Sequence, residues 1–156
     1  MKPLIKENLI EPDWLNPAKK GNELAQAVIA AAREVYRHLG PGFAREIYEE
    51  ALCAELNEAH LPFERRREVG VLYKNWPIGR HRLPLLVAET LIVEVMDTEE
   101  LTSVHRAQMV AWLKATSLHL GLLIAFNAPL WKNCVQRVSY RNNQAQGWSY
   151  ARNGVQ

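Results

Sequence analysis

The pattern of apolar and polar positions changes its period along the chain, and each period predicts one kind of element. In three segments apolar residues recur at intervals of three and four, which is typical of helices with one buried face. Elsewhere the period falls to two, or an apolar run is short and rich in β-formers, as in strands. The expected helices span residues 22–39, 45–59 and 103–116, and the expected strands span residues 63–67, 69–73, 83–87, 91–96, 118–126 and 135–138.

This order of elements predicts the fold class and the domain boundaries. Two helices, four strands, a helix and two strands are typical of an α/β domain in which helices lie outside a mixed sheet. We expect that domain over residues 22–138. Residues 1–21 contain three prolines and no sustained period, so they form an irregular arm in this interpretation, and the polar residues 139–156 form a tail. In the second helix the expected buried side consists of Ile47, Ala51, Leu52 and Leu56.

Composition narrows the class of protein without identifying it. Nineteen basic and 17 acidic residues leave a net charge of +2, which is too small a bias to indicate nucleic-acid binding by itself. We find no apolar run of membrane-spanning length and no signal peptide, so we expect a cytoplasmic protein without a membrane partner. Cys53 and Cys134 are far apart in sequence and form no CxxC pattern, so we expect two buried thiols rather than a metal site.

One acidic residue interrupts the most apolar of the expected strands. The run from Leu91 to Met96 suits a central strand, and Glu94 in it has to be explained because a buried charge is costly. An edge position, or a partner such as Arg82, would explain it structurally. A functional explanation is metal-dependent phosphodiester hydrolysis, which uses carboxylates and a lysine. In a strand, an acid and a lysine two residues apart face the same side.

Several segments resemble a known family in their order and spacing. They are EVYRHLGPGF (34–43), YEEALCAEL (48–56), LPFERR (61–66), LLV (85–87), IVE (92–94), LTSVHRAQMVAWLKAT (101–116), LGLLIAFNAP (120–129) and KNCVQRV (132–138). Together they resemble the GxxExxY family, which is grouped with the PD-(D/E)XK nucleases, over residues 22–138. The resemblance implies a restriction-endonuclease-like core with a mixed central sheet flanked by helices.

The chain departs from this family at the positions that the resemblance marks as catalytic. The glutamate of the family signature falls on Arg45, the sheet aspartate on Pro84, and the lysine of E-x-K on Met96. Glu94 is retained, as is Gln108, which resembles a glutamine often found on the following helix. We therefore interpret the catalytic set as dismantled and expect no metal and no cofactor.

Three functions remain open at this point. The first is a catalytically degenerate nuclease-like protein that acts as a nucleic-acid-binding or interaction module. The second is an active, magnesium-dependent nuclease whose catalytic groups have moved to Glu46, Asp97, Arg106 or Lys114. The third is a structural or protein-binding domain, with self-association included. Candidate nucleic-acid-binding residues form basic clusters that would alternatively be a solvated face paired with nearby glutamates: Arg65, Arg66, Arg67, Arg80, Arg82 and Arg106.

Overall fold

The first helix begins earlier than the sequence pattern predicts. The computed structural model describes the backbone of residues 17–141 and the side chains of residues 21–141. Helix α1 spans Pro17–Leu39, so it starts inside the segment interpreted as an irregular arm. Proline suits the first turn of a helix, where its missing N–H needs no partner. The remaining part of the arm, residues 1–16, and the tail from residue 142 onwards lie outside the described residues.

Helix α2 spans Arg45–Glu58 and buries one stripe of its surface. The stripe includes Tyr48, Leu52 and Leu56, which recur every four residues. The sequence pattern assigns Ile47 to this stripe, but its residue surface is 48% exposed, so that assignment is wrong. Ile47 precedes Tyr48 by one residue, and one residue is a rotation of about 100° on a helix.

Over the described residues, five strands form one mixed sheet in the order β1-β2-β3-β4-β5. The strands are β1 Phe63–Tyr73, β2 Trp76–Val87, β3 Leu91–Met96, β4 Leu120–Ala125 and β5 Val135–Ser139. The central strand β3 runs antiparallel to β2 and parallel to β4. The prediction of a central strand at Leu91–Met96 is confirmed, and an edge position for Glu94 is excluded.

The hairpin of β1 and β2 is longer than the sequence pattern predicts. β1 continues through Gly70 as one strand, and β2 begins at Trp76, in a stretch that the pattern left without an element. Lys74 and Asn75 connect the strands, and both have positive φ angles, of 48° and 70°. Positive φ at both central residues is the geometry of a two-residue hairpin turn that matches the twist of its strands.

The sheet separates two apolar clusters. Helices α1 and α2 cover one face, where Val93 and Val95 of β3 point. Helix α3, Ser103–Thr116, covers the other face, where Ile92 and Met96 point, so its predicted packing is confirmed. Gly121 of β4 allows the close approach of α3, because a Cβ atom at this position would overlap the side chain of Met109.

Two further expectations can be compared with the fold. Cys53 and Cys134 are buried free thiols, as expected, and burial raises the pKa of Cys134 to about 11. Among the helices of the described residues, none is both long enough and apolar enough to cross a membrane.

Candidate functional site at the end of the central strand

Glu94 lies in the central strand with one carboxylate oxygen buried. It shares the α3 side of the sheet with Ile92 and Met96, since residues two apart in a strand face the same way. Oε1 of Glu94 is buried and has no hydrogen-bond partner among the described residues. Burial raises the pKa of the Glu94 carboxyl above its ordinary value, and the positive charge of Arg45 opposes that rise. The protonated form is therefore favoured more than in water.

Pro84 is the residue of the neighbouring strand that the extended register places opposite Glu94. The paired register of β2 with β3 joins Leu86 to Ile92 and Val87 to Leu91, and it extrapolates to Pro84 opposite Glu94. An aspartate here would stand beside Glu94, which is the arrangement that the family resemblance implies. Proline brings neither a carboxylate nor an N–H.

Pro84 also coincides with a change of face in the β1–β2 ribbon. Its other neighbour is Arg66, between the paired residues Arg65 and Arg67 of β1, and Arg66 has a φ angle of 57°. Leu85 packs on the α1–α2 side, whereas Leu83, two residues earlier, packs on the α3 side. Such a left-handed residue interrupts the regular alternation of a strand.

Met96 is part of the core rather than of a polar site. Its residue surface is 8% exposed, and it packs with Met109 and Val110 of α3 and with Leu123 of β4. A lysine at this position would have its stem among these apolar side chains and its ammonium group near Glu94, as in an E-x-K pair. Methionine has no proton to donate to a reacting group.

Arg45 begins α2 beside the end of β3 and contacts several carboxylates. Its Nη1 lies 3.3 Å from Oε1 of Glu49, and its Nη2 lies 3.3 Å from Oε2 of Glu46. Its backbone N–H donates to Oδ2 of Asp97 over 3.2 Å. Asp97 directly follows β3, so these contacts join the first turn of α2 to the end of the strand that carries Glu94.

Glu49 is a buried carboxylate surrounded by arginines. Its side chain is 6% exposed, and besides Arg45 it faces Nε of Arg65 at 3.5 Å and Nη2 of Arg66 at 3.9 Å. The Arg65 contact is an ion pair without hydrogen-bond geometry, because this buried Nε has no hydrogen-bond partner. Arg65 instead donates from Nη2 to Glu50 over 2.7 Å. Three guanidinium groups thus compensate one buried charge.

Asn127, which follows β4, ties the loop before α2 to the end of β3. Its Nδ2 donates to the carbonyl oxygens of Asp97, over 2.8 Å, and of Phe43, over 3.1 Å. Its Oδ1 accepts from the N–H of Gly42, whose φ angle of 130° suits glycine. The buried Tyr48 hydroxyl completes the network: it donates to the Gly40 carbonyl over 2.6 Å and accepts from the Phe43 N–H.

These five residues form one structural unit, which we call the Arg45 corner: Arg45, Glu49, Glu94, Asp97 and Asn127. The sequence pattern and the family resemblance indicate Arg45 and Glu94, with Asp97 as a relocated group, but they do not indicate Glu49 or Asn127. A usable signal for Glu49 was its place in the buried stripe of α2, next to Tyr48 and four residues after Arg45. The contacts of Asn127 join residues 30 and more positions apart, and no local pattern indicates them.

The sequence of the chain is also similar to a known protein superfamily. A model of the PD-(D/E)XK nuclease superfamily matches residues 22–138, about three quarters of the chain. The chain belongs to the PD-(D/E)XK nuclease superfamily. The five-stranded mixed sheet with helices on both faces agrees with the core of this superfamily. No curated protein and no solved structure showed significant similarity to the chain.

The residues at the positions that the family resemblance marks as catalytic do not fit a magnesium site. Magnesium prefers several oxygen ligands in near-octahedral order. Glu94 offers one carboxylate, and Pro84 and Met96 offer none. Arg45 adds a positive charge near that carboxylate. Within residues 21–141, no group of three or more His, Cys, Asp or Glu side chains is placed to hold a metal ion.

Helix α3 carries four polar residues from the segment that resembles the family: His105, Arg106, Gln108 and Lys114. Gln108 is exposed. His105 caps the helix, because its Nδ1 accepts from the Thr102 N–H over 3.1 Å. Arg106 donates from Nη1 to Oε1 of Gln136 on β5 over 3.1 Å. Lys114 is exposed in the last turn of α3.

The six basic candidates are divided among four groups of polar partners. Arg65 and Arg66 face Glu49, and Arg67 pairs with Glu64 and Glu89 at 2.9 Å each. Arg80 and Arg82 share Glu68, at 3.0 and 3.6 Å, so Arg82 is not the partner of Glu94 that a structural explanation suggested. Arg106 contacts Gln136. Two other glutamates, Glu99 and Glu100, line an open groove together with Lys132.

Proposed function

We propose that this chain is a catalytically degenerate member of the GxxExxY group within its superfamily and that it acts by binding rather than by cleavage. The observation that carries the proposal is the position of Arg45. A residue that the family resemblance assigns to an acidic metal ligand is here a guanidinium group, within 3.3 Å of two carboxylates and electrostatically coupled to Glu94.

Arg45 supplies in covalent form the positive charge that a divalent cation would bring. Carboxylates close together repel each other unless a cation lies among them. In a metal site that cation is exchangeable, whereas the guanidinium group of Arg45 is covalently part of α2. A metal ion that approached Glu94 would be repelled by this charge and would find no second carboxylate at Pro84. Both effects favour binding functions over hydrolysis.

An active enzyme with relocated groups is the second candidate, and one observation favours it. The buried Oε1 of Glu94 has no partner among the described residues, as a carboxylate awaiting a cation would. The proposed replacements are less favourable. Glu46 already pairs with Arg45, Asp97 accepts the Arg45 N–H, and Arg106 contacts Gln136. Recruiting them to a metal would require breaking these contacts.

Titration calorimetry with manganese on the full chain tests the proposal. We expect no saturable binding to the unmodified protein. We expect weak binding to the variant with Pro84→Asp and Met96→Lys, and stronger binding when Arg45→Glu is added, since the built-in cation is then gone. Circular dichroism must accompany each variant, because new buried charges can cost several kcal/mol and unfold the domain.

The outcome that contradicts the proposal is specific. Stoichiometric manganese binding to the unmodified chain that is lost in Glu94→Gln would mean that other residues have become ligands. Arg45→Gln is the matched control for the triple variant, because it removes the charge without adding a carboxylate. Binding by Arg45→Gln alone would locate the whole defect in Arg45.

A further inference from the structure

The distal half of the β1–β2 hairpin exposes apolar side chains on a narrow ribbon. We call residues 69–82 the hairpin arm. Four of its large apolar residues are mostly exposed: Leu72 at 62%, Tyr73 at 58%, Trp76 at 70% and Ile78 at 61%. Single exposed apolar residues are normal on a protein surface, but four within residues 72–78, with Tyr73 paired directly with Trp76, indicate an interaction site.

The register of the arm gives it two different faces. Val69 pairs with His81, Val71 with Gly79 and Tyr73 with Trp76, and directly paired residues share a face. Near the base this face packs on α3, where Val69 joins the core cluster and the His81 ring lies 5.0 Å from that of Trp112. The register shifts by one residue between Val71 and Leu72, and the pair at the tip beyond the shift is Tyr73 with Trp76. On β1, Val69, Val71 and Tyr73 are two residues apart, so Tyr73 extends the face of Val69 outward. The aromatic surface is thus held by a base that is packed on the domain.

The arm carries positive charge and no acidic residue. Residues 69–82 include Lys74, Arg80 and Arg82 and contain neither aspartate nor glutamate. Glu68 at the base faces both arginines, at 3.0 and 3.6 Å, so one carboxylate is set against two guanidinium groups. Lys74 at the tip has its Nζ 5.4 Å from the centre of the Tyr73 ring. A complementary partner is therefore anionic and offers flat apolar groups.

We propose that the hairpin arm binds single-stranded nucleic acid, with bases stacked on Tyr73 and Trp76 and phosphates near Lys74 and Arg80. Stacking on aromatic side chains beside cations is how many proteins hold single strands without reading their sequence. An anionic bilayer is less favoured, because the turn at the tip consists of Lys74 and Asn75, which would have to enter the apolar layer first. This inference rests on the proposed function only in that the bound strand is not cut.

Fluorescence anisotropy with a labelled oligothymidylate, on the full chain at low salt and in EDTA, tests the inference. We expect measurable binding that weakens about tenfold or more in the variant with Tyr73→Ser and Trp76→Ser, since each stacked base contributes strongly. We expect Lys74→Gln to reduce the slope of log affinity against log salt by about 1. Val104→Ser is the matched control, because Val104 is 65% exposed on α3 and outside the arm.

The possible results separate the alternatives. No binding by the unmodified chain, or equal weakening by Val104→Ser and by the arm variant, overturns the inference. Binding to phosphatidylserine vesicles that the arm variant loses, with no binding to the oligonucleotide, overturns it in favour of a membrane surface. EDTA prevents metal-dependent cleavage during the assay, so a failure of the proposed function is detected separately, by products formed when magnesium is added.

Discussion

Apart from Glu94, the polar side chains of the Arg45 corner are paired with one another or with the backbone, whereas the aromatic side chains at the tip of the hairpin arm are exposed to solvent. In the corner, Arg45 reaches two carboxylates, Asn127 links three backbone groups, and the buried Glu49 faces three arginines. In the arm, Tyr73 and Trp76 stand in solvent on a two-stranded ribbon. We therefore expect the paired contacts of the corner to contribute mainly to stability, and the exposed aromatic pair of the arm to remain accessible to a partner. Substitutions in the corner should change the free energy of unfolding, whereas substitutions in the arm should change binding and leave the free energy of unfolding nearly unchanged.

Glu49→Gln should have the largest effect on stability. The change leaves Arg45, Arg65 and Arg66 without their shared buried carboxylate, and breaking a buried ion pair costs about 3–5 kcal/mol. Because Arg45 and Arg66 are partly exposed, we expect the lower end of that range. Urea unfolding followed by circular dichroism measures it.

Glu50→Gln is the matched control for this prediction. Glu50 is adjacent in sequence and pairs with the same Arg65, but its side chain is 72% exposed, against 6% for Glu49. An exposed pair contributes less than about 1 kcal/mol. Equal losses in the two variants would mean that burial does not distinguish them, and the corner would not be a stabilising unit.

Asn127→Ala should lower the free energy of unfolding by about 2 kcal/mol. The loss removes three hydrogen bonds at once, to the backbone of Gly42, Phe43 and Asp97, and a hydrogen bond contributes about 1 kcal/mol. Tyr48→Phe, which removes one hydroxyl from the same network, should cost less. Thermal unfolding of both variants checks the order, and a smaller loss for Asn127→Ala than for Tyr48→Phe would contradict it.

Glu94→Gln should stabilise the protein at neutral pH by about 1 kcal/mol, the scale of one unmade buried hydrogen bond. Burial raises the pKa of Glu94 in the folded state. The folded state therefore retains this proton at pH values where the unfolded state has lost it, and stability falls as pH rises through the folded pKa. The advantage of the variant should be greatest above that pKa and disappear near pH 4.

The pH dependence distinguishes a Glu94 carboxylate whose ionisation destabilises the folded state from one whose ionisation has no effect on stability. Stability measured against pH in urea gives the comparison between the variant and the unmodified chain. A constant difference at all pH values, or destabilisation at pH 7, would mean that Arg45 compensates the Glu94 charge fully.

The smallest effect is expected in the hairpin arm. Trp76→Ser should change the free energy of unfolding by less than about 0.5 kcal/mol, because surface substitutions away from packed groups are usually within this range. Thermal unfolding measures it. A large loss of stability would mean that Trp76 packs on the domain, and the contrast with the corner would disappear.

The fold was predictable from the sequence to a greater extent than the site. Periodicity alone predicts helices α2 and α3 and the central strand Leu91–Met96, because each buries a regular stripe of apolar side chains. The distal part of β2 was not predicted, because its side chains face solvent and lack the alternation that burial produces. The start of α1 was missed because Gly21 disfavours a helix interior and because Pro17, which in fact occupies the first turn, was counted with Pro3 and Pro12 as a sign of irregular structure.

The sequence indicates candidate site residues only where the chain departs from the pattern of the family that it resembles. Arg45, Pro84 and Met96 were identified by their positions in the family pattern, and the extrapolated register places Pro84 opposite Glu94. The position of Glu49 in the buried stripe of α2 was a usable signal for its burial, but its ion pairs with Arg65 and Arg66 were not predictable, because these arginines approach from another element. The same holds for Asn127, whose partners lie on two loops. Contacts of this kind depend on how the elements pack, and the sequence pattern does not specify them.

The most direct test of the proposal that the chain does not cleave nucleic acid is an endonuclease assay on the full, unmodified chain with plasmid DNA and with single-stranded DNA and RNA, in magnesium and in manganese. The family resemblance assigns the positions of Arg45, Pro84 and Met96 to a metal ligand, an aspartate and a lysine, so we expect no cleavage above that of the Glu94→Ala variant. Cleavage by the unmodified chain that Glu94→Ala abolishes would contradict this account and establish an active site built from relocated residues.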